Sequence, residues 1–401
     1  MESTHKVGYS KISVTGPVDL QMLLNPSVNI KVKLQLLQKI YDVLGDCCKT
    51  QQYFDTMVFV FVKLLTIVDP SFTPEQDQFK MRLLIIEIIH KVCNDTHNKD
   101  KLKCHIQNLM RICLKIIESD NERSVVLCIF IYRDLLTVFQ PKFDGFFKME
   151  ILNFFKLILD IYRNSSTPDK IFPKHKSNDL KVLIKTVRHN TVIRTNNADS
   201  FNLIPMGRIS LKVIKEFSGI LKLYYVLYHD VRAFIKDILD FVPVLMNFFN
   251  LDIPYKPDYR DLVLDLKHAQ AKLLSFFSII LKDHKNTVYV HCSPLPGRLI
   301  SLLSCNMSSD DSSLRLELLS GLEYVILSDY KCEFLPHMDK FIDETLITGK
   351  NWSLKQTLRP RAYIYIDHLT TNLRGRLSMN FLMRVIHLYF SNILDCTLQP
   401  E

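Results

Sequence analysis

Apolar residues recur along this chain at spacings of three and four, segment after segment, with short polar breaks between them. "DQFKMRLLIIEIIHKV" at 77–92 is such a segment, and it stops in the polar run "NDTHNKDK". In the segment after "SDNE", Val125, Ile129, Tyr132, Leu136 and Phe139 share one face, and Pro141 closes it. The pattern predicts helices over 31–49, 51–69, 74–93, 101–118, 120–140 and 144–163. A second series covers 209–229, 231–250, 260–284, 296–305, 312–328, 333–346, 353–373 and 378–393. No strand series emerges.

Start signals support several of these helices. "TPEQ" at 73–76 offers Thr73 as N-cap, Pro74 at the first helical position and Gln76 closing a capping box. "SDNE" at 119–122 offers Ser119 as cap with Glu122 reaching back. Taken in pairs, the helices recur roughly every 40–50 residues, the period of HEAT and armadillo units. One pair cannot cover its own apolar face, so it is stabilised by stacking on its neighbours. "KMRLLIIEIIHKV" is apolar on more than one side, as an array packed on both flanks requires. The expected fold is all-α, an α-solenoid of HEAT-like helical pairs carrying one long irregular basic loop; a globular bundle is the alternative. The expected divisions are a polar leader over 1–28, a first block over 29–163, the loop over 164–205 and a second block over 206–401.

Composition narrows the function classes. Only 10 glycines occur in 401 residues, which leans against phosphate-binding loops and nucleophile elbows, whose sharp turns need glycine. At 47% hydrophobic and 23% charged the chain buries a large core and is not a disordered one. The opening "MESTHKVGYS" lacks the apolar stretch of a signal peptide, and the most apolar run, "MVFVFVKLLTIV" at 57–68, is broken by Lys63. A membrane span takes roughly 18 or more apolar residues, so a soluble, intracellular protein is expected. The ten cysteines lie mostly in apolar helical runs, where reduced thiols act as small core residues.

Candidate chemistry is sparse. "HKVCNDTHNKDKLKCH" brings His90, Cys93, His97, Cys104 and His105 into one stretch of nitrogen and sulfur ligands, but their spacing matches no standard zinc pattern, and His90 and Cys93 continue their helix's own stripe. "TLITGKNW" fails as a phosphate loop, with Glu344 where a glycine is needed and Asn351 where a hydroxyl is needed. Asp339, Asp343 and Glu344 in "MDKFIDETL" read as the solvated face of a helix. No catalytic, cofactor-binding or metal residue is assigned, and the chain is not expected to be an enzyme. The formal net charge of +9 hints at an acidic partner.

The basic loop carries interaction physics. Lys170, Lys174, Lys176, Lys181, Lys185, Arg188 and Arg194 are interleaved with Ile171, Phe172, Val182, Leu183 and Ile184. That mixture suits acidic-hydrophobic segments, the composition of many activation domains. A solvated linker is the plain reading. Direct nucleic-acid binding is not expected, because the basic residues lack a recognised fold and an aromatic stacking platform.

"KQTLRPRAYIYIDHL" at 355–369 sets Pro360 within one apolar stripe, Leu354, Leu358, Ala362, Ile366, Leu369 and Leu373. With Ser353 and Gln356 as a capping box, the proline lies inside the helix and bends it; with Thr357 as cap, it falls in the tolerated first turn. Either way Pro360 shapes the stacking angle between repeats, with Arg359 and Tyr363 holding that turn.

Five stretches occur in a familiar order: "MRLLIIEIIHKV", "IESDNERSVVLCIFIYRDLLTVFQP", "ISLKVIKEF" with "DFVPVLMN", "HMDKFIDETLITG" and "TLRPRAY". Together they resemble the N-terminal HEAT region of the transformation/transcription domain-associated protein (TRRAP) family, over roughly residues 30–395. The resemblance implies a nuclear, pseudokinase-type scaffold of histone acetyltransferase co-activator complexes. It implies as partners the acetyltransferase-complex subunits and acidic transcription-activator segments; from the residues themselves no cofactor is assigned and no membrane contact is expected. Family members are far longer, so "SNILDCTLQPE" is expected to end inside the array, as in a fragment or a short form. Arg361 stands where the family is apolar and His368 where it is acidic. A general helical-repeat adaptor without a chromatin role is the alternative function.

Overall fold

The computed structural model describes residues 17–71, 73–142, 152–153, 155–156, 159, 208–251, 260–304, 312–326, 329–349 and 352–393. Among them every regular element is helical, as the period-3.6 pattern predicts. The described residues fall into two compact units, one holding those up to Pro141 and the other those from Lys142 onward.

The first unit is built from α1 (Ile30–Asp42), α2 (Gln51–Ile67), α3 (Asp77–Asn94), α4 (Ile106–Ser119) and α5 (Glu122–Phe139). Helices α1, α3 and α5 pack in one row and α2 and α4 in another, so each helix lies against the second one after it. That alternation explains why α3 buries Phe79, Met81, Leu83, Ile85, Ile86, Ile88, Ile89 and Val92 rather than a single stripe. Each such side chain contributes roughly 1.5–3 kcal/mol when buried, and here the neighbouring helices supply the cover. The stretch read as the end of a polar leader is part of this unit. Its short helix Gln21–Leu24 buries Leu23, Val18 and Leu20 are buried beside it, and the Tyr53 hydroxyl donates to the Val18 carbonyl at 2.8 Å.

The second unit contains α6 (Arg208–Tyr228), α7 (Arg232–Phe249), α8 (Arg260–Asp283), α9 (Leu295–Leu303), α10 (Ser312–Ile326), α11 (Glu344–Thr348), α12 (Trp352–Leu373) and α13 (Met379–Ile393). Here α6, α8, α10 and α12 form a continuous row, while α7 packs on α8 and α9 on α10. Phe155 stacks on Phe217 at 4.9 Å between ring centroids and lies 5.8 Å from Phe241, one aromatic centre of this core. Close approach of α8 and α10 uses Gly321: a Cβ there would lie 3.3 Å from the Ser278 hydroxyl and 3.5 Å from the Ser275 backbone. A side chain there would have to displace the Ser278 hydroxyl by a few tenths of an ångström.

Helix starts differ from the expected caps. α3 begins at Asp77, and Thr73 to Gln76 is a turn closed by the Gln76 amide donating to the Thr73 carbonyl at 3.1 Å. Gln76 turns its side chain to Ser71, whose hydroxyl donates to it at 2.5 Å, so there is no capping box. α5 is capped by Asn121, which accepts from the Ser124 amide at 3.1 Å. Ser119 instead ends α4, donating to the Lys115 carbonyl at 2.6 Å. In both places another nearby partner, five residues away for Gln76 and four for Ser119, takes the side chain from the expected capping motif. The helix expected over 333–346 is broken: a 3₁₀ stretch, Asp329–His337, contains Pro336 and gives way to Met338–Phe341. Asp343 then starts α11 by accepting from the Thr345 amide at 2.9 Å. Proline cannot donate to the ladder, which accounts for the break. The expected helix over 144–163 and the loop over 164–205 lie largely or wholly outside the described residues.

Candidate functional site

The seven basic residues assigned to partner binding, Lys170, Lys174, Lys176, Lys181, Lys185, Arg188 and Arg194, lie outside the described residues. Arg359, Pro360 and Tyr363 do not. α12 begins at Trp352, so neither Ser353 nor Thr357 is its cap, and Pro360 sits well inside the helix with its ring exposed. Arg359 on one side of the proline is buried and pairs through Nε with Glu344. Tyr363 on the other side donates to the same carboxylate oxygen at 3.4 Å. Glu344 is therefore not a solvated residue, as its charge had suggested, whereas Asp339 and Asp343 are exposed, Asp339 paired with Arg384 at 2.5 Å. Tyr389 on α13 donates to the Tyr363 carbonyl at 3.0 Å and adds a third helix to the joint. Burial, and next the Glu344 charge, push the Tyr363 phenol well above its ordinary value, so it stays a donor.

A recurring device joins one helix to the next. The last carbonyls of a helix have no partner within it, and a neighbour's side chain supplies one. Arg82 of α3 donates to the Leu65 carbonyl at 2.8 Å and also to that of Val68, at the end of α2. Gln270 of α8 donates to the Phe248 carbonyl at 3.0 Å and that of Leu251 at 2.8 Å, at the end of α7. Arg315 of α10 reaches the Leu346 carbonyl at 2.5 Å and those of Ile347 and Leu303 at 3.3 Å. Arg82 is further held by Asp120 through Nε at 2.8 Å and a terminal nitrogen at 2.5 Å. A cleft of about 300 Å³ opens beside it, lined by Leu65, Val68, Lys115 and Ser119 among others. Burial lifts the Asp120 carboxyl above the ordinary carboxylate range, against the pull of Arg82 and Asn121.

The histidine and cysteine cluster of the sequence does not converge. His90 contacts Asn94 at 3.1 Å, His97 contacts Asp95 at 2.9 Å, and Cys93 is buried in the core. Cys104 and His105 instead meet Asp55 of α2, a residue about fifty positions earlier that spacing arguments could not find. His105 Nε2 lies 2.7 Å and Cys104 Sγ 3.9 Å from Asp55 Oδ1.

These joints hold helices together; none of them assembles a nucleophile, a base and an oxyanion site. Residues 262–401 match the Tra1 HEAT repeat central region. Similarity extends beyond the matched portion. The chain is 26% identical over 389 residues to the human transformation/transcription domain-associated protein, covering 91% of this chain and 10% of that protein. It is 25% identical over 398 residues to the Drosophila melanogaster transcription-associated protein 1, covering 94% of this chain and 10% of the relative. It is 21% identical over 427 residues to the Saccharomyces cerevisiae SAGA complex/NuA4 acetyltransferase complex subunit TRA1, covering 91% of this chain and 11% of that subunit. The chain thus spans about a tenth of the length of the curated relatives it matches. Ordered motifs had pointed to this family, and the portion matched is described as its central region.

Proposed function

We propose that this chain is a non-catalytic scaffold segment of a nuclear histone acetyltransferase co-activator complex. The observation that carries the reading is similarity along nearly the whole chain to proteins named as transcription-associated and as SAGA and NuA4 subunits. An array of helical pairs suits that role, because its stacked surfaces grow with repeat number without requiring a catalytic cleft. Complex subunits are the first class of partner, and acidic activator segments are the second. For the second class we assign Lys170, Lys174, Lys176, Lys181, Lys185, Arg188 and Arg194 as the contact residues.

The test is mass spectrometry of the endogenous protein purified from nuclear extract through an N-terminal tag. Recovery of acetyltransferase-complex subunits is expected; their absence, with the tagged protein resident in the cytoplasm, would favour a general helical-repeat adaptor. Changing the loop lysines to glutamate is expected to abolish salt-sensitive capture of an acidic activator peptide. Unchanged capture removes the loop from the account.

Pro360 belongs to the architecture in this reading. It sets how α12 meets its neighbours, with Arg359 and Tyr363 as anchors on Glu344. Pro360→Ala is expected to alter hydrogen-exchange protection in α11 and α13 as well as in α12. A change confined to α12 would reduce the proline to a local break.

A further inference from the structure

Asp55, Cys104 and His105 each offer one ligand atom, and the three atoms lie within 4.8 Å of one another. Asp55 comes from the first turns of α2, while Cys104 and His105 form the turn that leads into α4. Two packed helices therefore present a carboxylate oxygen, a thiol sulfur and an imidazole nitrogen to one point. Cys104 is exposed and the other two are half-buried, so the point is open to an ion from solution.

We infer that Asp55 Oδ1, Cys104 Sγ and His105 Nε2 form a site for zinc(II), with water completing a tetrahedron. The donor set selects the metal. Calcium and magnesium demand oxygen ligands, whereas a mixed sulfur, nitrogen and oxygen set suits zinc. Zinc bonds of about 2.0–2.3 Å place ligand atoms of a tetrahedron about 3.3–3.8 Å apart. The 3.9 Å between Cys104 Sγ and Asp55 Oδ1 already meets that spacing closely. The 2.7 Å between His105 Nε2 and Asp55 Oδ1 is a hydrogen bond, which must open by less than an ångström to admit the ion. On binding, the thiol and the imidazole each release a proton where they held one, and the metal takes the thiolate and the neutral ring as ligands.

Surrounding contacts hold the ligands in place. Gln51 Nε2 donates to Asp55 Oδ1 at 2.6 Å, which fixes the rotamer of the carboxylate while leaving its second oxygen for other contacts. The His105 ring lies 6.0 Å from Phe54, centroid to centroid. The neighbouring cations are engaged elsewhere, Lys101 with the carbonyls of Cys48 and Lys49 and Lys103 with Asp100, while the Cys104 thiol donates to the Lys101 carbonyl at 3.4 Å. Burial pushes the Cys48 thiol up to about 11, which leaves it a poor competitor for the metal.

The experiment is titration of the purified 401-residue chain, freed of metal, with zinc(II) by calorimetry and with cobalt(II) by absorption. One equivalent is expected to bind, with a thiolate-to-cobalt charge-transfer band and the intense visible bands of a tetrahedral site. Cys104→Ser should remove the charge-transfer band. Asp55→Asn and His105→Gln should each weaken zinc binding by more than about tenfold. Circular dichroism of each variant without metal checks the fold. Failure to bind a stoichiometric equivalent overturns the site. So does binding that survives Cys104→Ser with its charge-transfer band intact, which would place the metal on other thiols and leave His105 and Asp55 as a simple clasp between α2 and α4.

Discussion

In the first unit the end of α2 is closed by a charged side chain, Arg82, which bridges the carbonyls of Leu65 and Val68. In the second, the end of α7 is closed by a neutral one, Gln270, which bridges those of Phe248 and Leu251. The two acceptors are three residues apart in each case, and the donor stands on the next long helix. The chemistry then diverges. A buried guanidinium needs a counter-charge, and Asp120 supplies it from the junction of α4 and α5, so this clasp ties three segments together. A carboxamide needs none and ties two, while its own Oε1 is left buried without an acceptor's partner. The same orphaned carbonyls have thus been met once by a charged network and once by a solitary amide. The network gains connection at the cost of desolvating two ions.

The largest expected effect comes from breaking half of the network. Arg82→Met leaves the Asp120 carboxylate and two helix-end carbonyls buried without their donor, a loss of about 3–5 kcal/mol. It would be read as a shift in denaturant midpoint, with hydrogen-exchange protection lost across α2, α3 and α5. Replacing Arg82 and Asp120 together by Met and Leu should recover much of that loss. A double variant as damaged as the single one would mean that the carbonyls, not the charge, dominate.

Gln270→Leu comes next, at about 1–3 kcal/mol, because it removes a donor from two carbonyls, of which that of Phe248 keeps the Leu251 amide at 3.2 Å, and strands no ion. Its exchange changes should stay at the end of α7 and the start of the segment that follows. An effect equal to that of Arg82→Met would dissolve the distinction between the two clasps.

A smaller effect, specific to the second unit, depends on pH. Burial raises the Glu317 carboxyl, but the hydrogen bond and charge of Lys222 at 2.7 Å, with Ser275, hold it below the ordinary value of 4.5. A depressed folded value means stability that is complete above 4.5 and lost as pH falls through the lower folded value. Glu317→Gln should therefore cost on the order of 1 kcal/mol at neutral pH, and the difference from the parent chain should close on acidification. A difference that persists in acid would assign the loss to packing.

The smallest effect is a gain. Gln140, just past α5, adopts a left-handed backbone with φ 42°, which a side chain resists and glycine does not. Gln140→Gly is expected to raise stability by less than about 1 kcal/mol, seen as a higher thermal midpoint.

The elements were legible because helix formation is local. Spacings of three and four, together with Pro141 and the polar breaks, placed α1 to α5 and α6 to α13 close to their observed ends, apart from the stretch around Pro336. The caps were less legible. Gln76 and Ser119 have the right chemistry for a capping motif, but Ser71 and the Lys115 carbonyl are their partners. Glu344 shows the same limit: in the sequence it is one acid among three, and only the folding of α12 against α11 makes it the acceptor for Arg359 and Tyr363.

The period of its apolar residues indicated, from sequence alone, that this chain is all-α and HEAT-like, and the order of its motifs pointed to its Tra1-type relatives. Both are properties of neighbouring positions along one chain. Which polar side chains meet was decided by tertiary structure. Arg82 finds Asp120 38 positions away and His105 finds Asp55 50 positions away, and each pairing exists only because a helix stacks on a partner distant in sequence. Helix period sets the face a residue occupies; the stacking of the helices sets what that face touches.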